Sequence, residues 1–251
     1  MFKVTKLFFT LTWLVAFLAV GLWMSPGVYA ATILVTSSGS GAGACPSASN
    51  CTLTTAIASA NAGDTINFNG DMNITPSATL NVNKSLIIDG GTNKIVISGG
   101  GARRVFSVTG TPVTIKKLTI TNGSSGTGAG INATGTSLVI DSVTFSNNTA
   151  TGSGINNGGA ILYTNNGGSL TIVNSTFSAN SADNSGGAVY VDANNGTATI
   201  SFSTFYGNTT GASGVTAIQR NNGTVTLSNN IIHNAANTAT CAGTISGSGN
   251  F

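Results

Sequence analysis

Three lines of the chain, Leu138–Asn148 (LVIDSVTFSNN), Leu170–Asn180 (LTIVNSTFSAN) and Ala198–Asn208 (ATISFSTFYGN), are copies of one pattern. Each alternates apolar and polar positions, reaches a Phe, and places an Asn shortly after it. The pairs are Phe145 with Asn148, Phe177 with Asn180, and Phe205 with Asn208. Between the lines stand Gly158-Gly159-Ala160-Ile161-Leu162 and Gly186-Gly187-Ala188-Val189-Tyr190-Val191. Self-similarity at a period of roughly 20–50 residues marks a repeat architecture, and the spacing of Phe145, Phe177 and Phe205 falls inside that range.

The pattern extends beyond its clearest copies. Ile120 occupies the Phe position one repeat before Phe145, and Ile232 occupies it one repeat after Phe205. Ile97 stands a further repeat before Ile120. Short strands are expected at 32–36, 79–82, 85–88, 94–98, 105–108 and 113–120, with Gly or Asn at nearly every junction. An all-β parallel β-helix accommodates such a repeat. Each coil adds one level, equivalent strands stack at ~4.8 Å, and like apolar residues stack inside. The Asn after each Phe is expected at a tight corner, because Asn tolerates left-handed backbone angles. Stacked Asn side chains can also share amide hydrogen bonds along the axis. The Gly-Gly pair allows another tight bend. A β-sandwich would also have many short strands, but it does not require FxxN and GGA[IV] to recur in phase. A leucine-rich repeat needs a Leu/Asn signature that is absent.

The N-terminal part reads differently. Residues 1–30 carry two lysines, an uncharged apolar run over 7–24, and SPGVYA with small residues at Val28 and Ala30. That is the layout of a secretory signal peptide, the alternative being an uncleaved membrane anchor. Residues 31–70 are expected to form the first strands and a cap, and 71–251 the coils. In Cys51–Phe68, Leu53, Ala56, Ile57 and Ala60 lie at helical spacing, Thr52 or Thr54 can cap the start, and 64–68 alternates as a strand. An open solenoid end exposes core and strand edges, so a terminal cap is required. Cys45 and Cys51 flank a short loop and can pair after export. Cys241 has no evident partner.

Composition excludes some functions. Charged residues make up 6% of the chain, against roughly 25% in an average protein. The six acids are all Asp, at 64, 71, 89, 141, 183 and 192, and seven basic residues follow residue 30. No basic face for nucleic acid results.

CTLTTAIASANAGDTINF (51–68) resembles the Cys-Ser-Leu-Arg-Glu-Ala-Ile segment of exported bacterial β-helix proteins, with Thr54-Thr55 in place of Arg-Glu. FSNN, FSAN and FYGN with GGAI and GGAV are similar to the repeats of chlamydial polymorphic membrane proteins and related surface proteins. The resemblance covers about 31–250. It implies a right-handed, single-stranded parallel β-helix of the pectate-lyase type, displayed outside the cell. Such relatives continue past a Gly-Asn-aromatic segment, so a fragment or a short member is expected at Gly249-Asn250-Phe251, with any C-terminal anchor and partner of Cys241 downstream.

Catalytic candidates are sparse. Sugar hydrolysis needs two carboxyl groups facing across a bond; Asp89 and Asp141 end similar strands and could pair on one face, but read more readily as solvent-facing strand-end or turn residues. β-Helix polysaccharide lyases resemble this chain in fold and use a basic residue beside acidic Ca²⁺ ligands. The corresponding candidates are Arg220 with Asp192 and Asp183, Asp192 lying one repeat before Arg220. No lyase motif surrounds them, and Ca²⁺ needs several clustered oxygens. His233 is the only histidine, and with no second His and no reduced Cys cluster zinc is not expected; it aligns with Tyr206 and reads as a turn residue. Arg103-Arg104 and Lys116-Lys117 read as solvated charge pairs. The Gly runs 99–101 and 126–130 lack a strand-to-helix context for nucleotide binding. Thr119–Thr121 and Thr224–Thr226 could form part of a water-ordering Thr row, though Thr is a favoured strand residue. The expectation is a secreted or cell-surface, non-enzymatic stalk or adhesion module without a cofactor, binding extracellular protein or polysaccharide. A polysaccharide lyase is the alternative.

Overall fold

Alternation every second residue, interrupted at short intervals by a turn, makes three stacked walls. The computed structural model describes residues 30–40, 43, 45, 50–211, 214–233 and 240–251. The signal segment expected over 1–30 therefore lies outside the described residues except for Ala30. Residues Ala31–Phe251 form a parallel β-solenoid of about six turns with one short helix.

Each coil visits the walls in the same order. Wall A holds Leu80–Val82, Phe106–Thr109, Ile131–Thr134 and Ile161–Asn166. Wall B holds Thr32–Val35, Thr65–Phe68, Leu86–Asp89, Val113–Lys116, Leu138–Asp141 and Ser169–Val173. Wall C holds Met72–Ile74, Ile95–Ser98, Thr119–Thr121, Thr144–Ser146, Thr176–Ser178, Thr204–Tyr206 and Ile231–His233. In two later coils, Val189–Ser201 and Ile218–Ser228 run through both A and B, which joins those walls into one 14-stranded sheet. A short ladder, 124–125, 149–150, 181–182 and 209–210, follows wall C.

The core is a set of columns. In wall B, Ile33, Ile66, Ile88, Ile115, Ile140, Ile172, Ile200 and Leu227 stand in register, all buried. In wall C the column is Ile74, Ile97, Ile120, Phe145, Phe177, Phe205 and Ile232. The three Phe rings stack at 4.8 and 4.6 Å with interplanar angles of 5° and 3°. Aromatic pairs left to themselves prefer offset or edge-to-face geometry; here the strand spacing imposes parallel rings. Buried Tyr163 sits over the small Ala133 in wall A, and its hydroxyl donates to Thr136 O at 2.8 Å.

Two expectations need correction. The run 113–120 is two strands, parted at Lys117, whose φ is 56°. Lys117 shares a corner column with Ser142, Asn174, Phe202 and Asn229, all with positive φ; because Lys carries no turn signature, the break was hidden. The left-handed residue after wall C is also not the repeated Asn. It is the residue before it: Asn147, Ala179 and Gly207. Asn148, Asn180 and Asn208 instead turn inward and are fully buried. Asn148 Nδ2 donates to Asn180 Oδ1 at 2.9 Å, and Asn180 Nδ2 to Asn208 Oδ1 at 3.0 Å. Each of these oxygens also accepts the backbone N–H of the Asn one coil earlier.

The Gly-Gly pairs divide their work. Gly158 and Gly186 adopt φ of 67° and 63°. The second glycine is needed for contact: a Cβ on Gly159 would lie 2.2 Å from Gly187 O.

At the N-terminal end, Leu53–Ser59 is the expected helix, and the Thr52 hydroxyl accepts from Thr55 N. Leu53, Ala56 and Ile57 are buried, covering the core next to Leu80–Val82. Lys84 Nζ donates to Ala58 O and Ala60 O at 2.7 and 2.6 Å, satisfying carbonyls at the helix C-terminus. Buried Asp64 accepts from Ala31 N and Asn61 N, each at 2.7 Å, and so anchors the first strand. Cys45 and Cys51 are joined by a disulfide.

Candidate functional site

Wall A lengthens along the axis from Ile131–Thr134 to Ile161–Asn166, which pairs with residues 189–194 of the long strand Val189–Ser201. Since alternate residues face outward, its solvent side carries two columns. One is Asn132, Leu162, Tyr190 and Gln219; the other is Thr134, Thr164, Asp192 and Asn222. Beyond them, Asn166 and Asn194 pair in register at the corner with wall B. Thr134, Thr164, Asn165, Asn166, Asp192 and Asn194 line a groove of about 330 Å³.

Hydrogen bonds fix the floor of this groove. Asn165 Nδ2 donates to Tyr163 Oη at 2.8 Å, which commits that amide to the core side. The hydroxyls of Thr134 and Thr164 are 3.1 Å apart. Asp192 Oδ1 accepts from Asn222 Nδ2 at 2.6 Å. Burial, then the charge of Asp192, raises the pKa of the Tyr190 phenol above its ordinary value.

The lyase candidates do not converge. Arg220 and Asp192 lie on adjacent strands, but a register shift follows Val191, which pairs with Arg220, so Asp192 faces Asn222. Arg220 takes the register of an inward position, and its Nε donates to Gly223 O at 2.8 Å. Asp183 belongs to a different loop. Its Oδ2 accepts from Thr151 Oγ1 at 2.7 Å, Gly152 N at 3.2 Å and Asn156 Nδ2 at 3.3 Å. These bonds, the Thr151 hydroxyl first, lower its pKa. Among the described residues no group of three or more His, Cys, Asp or Glu could hold a metal ion.

The other charges hold neighbouring coils together. Asp89, Lys116 and Asp141 form one outward column of wall B, with Lys116 Nζ 3.1 Å from Asp89 Oδ2. The two carboxylates are therefore separated by a cation and two strand spacings, roughly 10 Å. Arg103 reaches back to Pro76 O at 2.8 Å, while Arg104 reaches forward to Thr127 O at 2.7 Å and Gly128 O at 3.1 Å. His233, expected in a turn, instead ends the strand Ile231–His233, where it is exposed and in register with Tyr206 because the wall C pairing extends one residue past the inward Ile232. Thr119–Thr121 and Thr224–Thr226 fall on walls C and B and make no common row. Cys241 occupies the register of Ile218, where burial pushes its thiol pKa up to about 11.

Sequence reasoning missed Thr134, Thr164, Tyr190 and Asn194. The available signal was Asn-Asn-Gly at 165–167, 194–196 and 221–223, each at the corner between walls A and B, although the same tripeptide at 156–158 precedes wall A.

Fold and groove together define a parallel β-solenoid with a concavity on one wall lined by Thr and Asn side chains and one carboxylate, Asp192. No family model, curated protein or solved structure matches the chain. Among the described residues no helix is long and apolar enough to cross a membrane.

Proposed function

We propose that the chain is a secreted or cell-surface β-solenoid module that binds protein or glycan through its side walls and performs no chemistry of its own. One observation carries this reading: the wall A groove holds a single carboxylate, Asp192, while Arg220, the candidate base on the adjacent strand, has its Nε bonded to Gly223 O. General acid–base work on a sugar would need a second titratable group across the bond. Stacked coils meanwhile offer a long regular surface suited to extended ligands. The signal-like N-terminus, the Cys45–Cys51 disulfide and the resemblance of 51–68 and the FxxN/GGA repeats to exported bacterial surface β-helix proteins support the location. Glycan-array binding paired with an absorbance assay for unsaturated sugar products tests the reading. Binding without turnover is expected; unsaturated products would establish the lyase alternative instead.

A further inference from the structure

We infer that the wall A groove is a site for an uncharged carbohydrate chain, held by Asp192, Thr164 and Asn194 with Tyr190 alongside. This rests on the binding-module reading above and names its ligand class. Asp192 is held at one oxygen by Asn222, and its Oδ2 accepts no hydrogen bond among the described residues. A positioned carboxylate oxygen makes charge-assisted hydrogen bonds to ligand hydroxyls. Tyr190 precedes it by two positions on the same outward face, with Leu162 in register on the next strand. A half-buried phenol beside an aliphatic side chain presents an apolar body with a polar tip, which suits the C–H face and rim hydroxyls of a sugar ring. The remaining lining groups, Thr hydroxyls and Asn amides, both donate and accept, as each sugar hydroxyl does.

Charge selects against acidic ligands. An acidic polymer would meet Asp192, whose neighbour Arg220 follows an inward register and is bonded through its Nε to Gly223 O. The polar column Thr134, Thr164, Asp192 and Asn222 spans three strand spacings, about 14 Å, which fits an oligosaccharide better than a single sugar.

The test is a comparison of neutral, acidic and amino-sugar oligosaccharides on the full chain, followed by titration of the best binder against Asp192→Asn and Asn194→Ala. Asp192→Asn keeps shape and removes charge, and thermal melts confirm that each variant is folded. Binding of neutral oligosaccharides is expected, weakened roughly tenfold or more by Asp192→Asn and to a lesser degree by Asn194→Ala. Should Asp192→Asn fail to fold, loss of binding in Asn194→Ala decides the matter. Preference for acidic or amino sugars, unchanged affinity in both variants, or no glycan binding would overturn the inference while leaving the module reading intact. Turnover of the oligosaccharide would overturn that reading itself.

Discussion

The corner after wall C and the corner between walls A and B meet the same demand, a sharp bend at every level, in opposite ways. After wall C, buried Asn148, Asn180 and Asn208 bond to one another from coil to coil, and the residue outside them varies freely as Asn147, Ala179 and Gly207. Between A and B the positive φ falls on Gly110, Gly135, Gly167, Asn195 and Gly223, and no shared ladder follows. In the coils at 189–201 and 218–228 the strand simply continues through the bend. The first corner repeats because its polar groups are buried and each needs a partner. The second is wet, so its Asn side chains are free to differ, and there the groove opens. Regularity in this fold follows burial, and the capacity for recognition lies where regularity lapses.

Asn180→Ala should show the largest contrast. Asn180 Nδ2 donates to Phe145 O at 3.1 Å and to Asn208 Oδ1 at 3.0 Å, while its Oδ1 accepts from Asn148 N and Nδ2. Truncation leaves several of these groups buried and unpaired, at a cost of about 3–4 kcal/mol. Asn166→Ala, at the exposed corner, should stay within about 0.5 kcal/mol of the native chain. Urea unfolding of both variants measures the difference; equal losses would mean that the ladder is not what distinguishes the corners.

This contrast also explains what the sequence disclosed. Phe145, Phe177 and Phe205 were legible because an inward column accepts few residue types at near-regular spacing. Asn148 and its equivalents were legible as a motif and so was their amide ladder, whereas the left-handed backbone angle belongs to the variable neighbour one position earlier. Lys117 and Phe202 hid two bends because neither residue type favours φ above zero. Asp192 could be singled out as a carboxylate, but its neighbours Thr134 and Thr164 come from preceding coils. Only the register, whose step along the chain changes from coil to coil, brings the three together.

Phe202 tests the outer side of a third corner, between walls B and C. It has φ of 50° and is 60% exposed, in a column that elsewhere holds Asn174 and Asn229. A bulky residue in this region is strained by roughly 1–2 kcal/mol, and its ring recovers little by burial. Phe202→Asn should therefore raise stability by about 1 kcal/mol, read from the urea midpoint at unchanged slope. A loss of stability would show that the ring packs more firmly than its exposure implies. It would also weaken the rule that outer corner positions are interchangeable.

The smallest effect is expected at Asp183, which ties the connection 151–156 to the next coil and lies outside the buried Asn ladder. Its carboxyl is held below the ordinary Asp value, chiefly by the Thr151 hydroxyl and then by Gly152 N. A depressed folded pKa means that the tie is complete above the unfolded-state value and is lost as pH falls through the lowered one. Hydrogen exchange at 151–156 should thus remain slow through the ordinary Asp range and speed up only below it. Exchange in the buried ladder at 148 and 180 should not respond over the same interval, because the groups bonded there do not titrate. Asp183→Asn should abolish the step while leaving global unfolding almost unchanged, since an exposed carboxylate contributes little to overall stability. If the ladder amides loosened together with the loop, the two regions would be a single cooperative unit, and the separation of buried ladder from variable surface would fail at its simplest point.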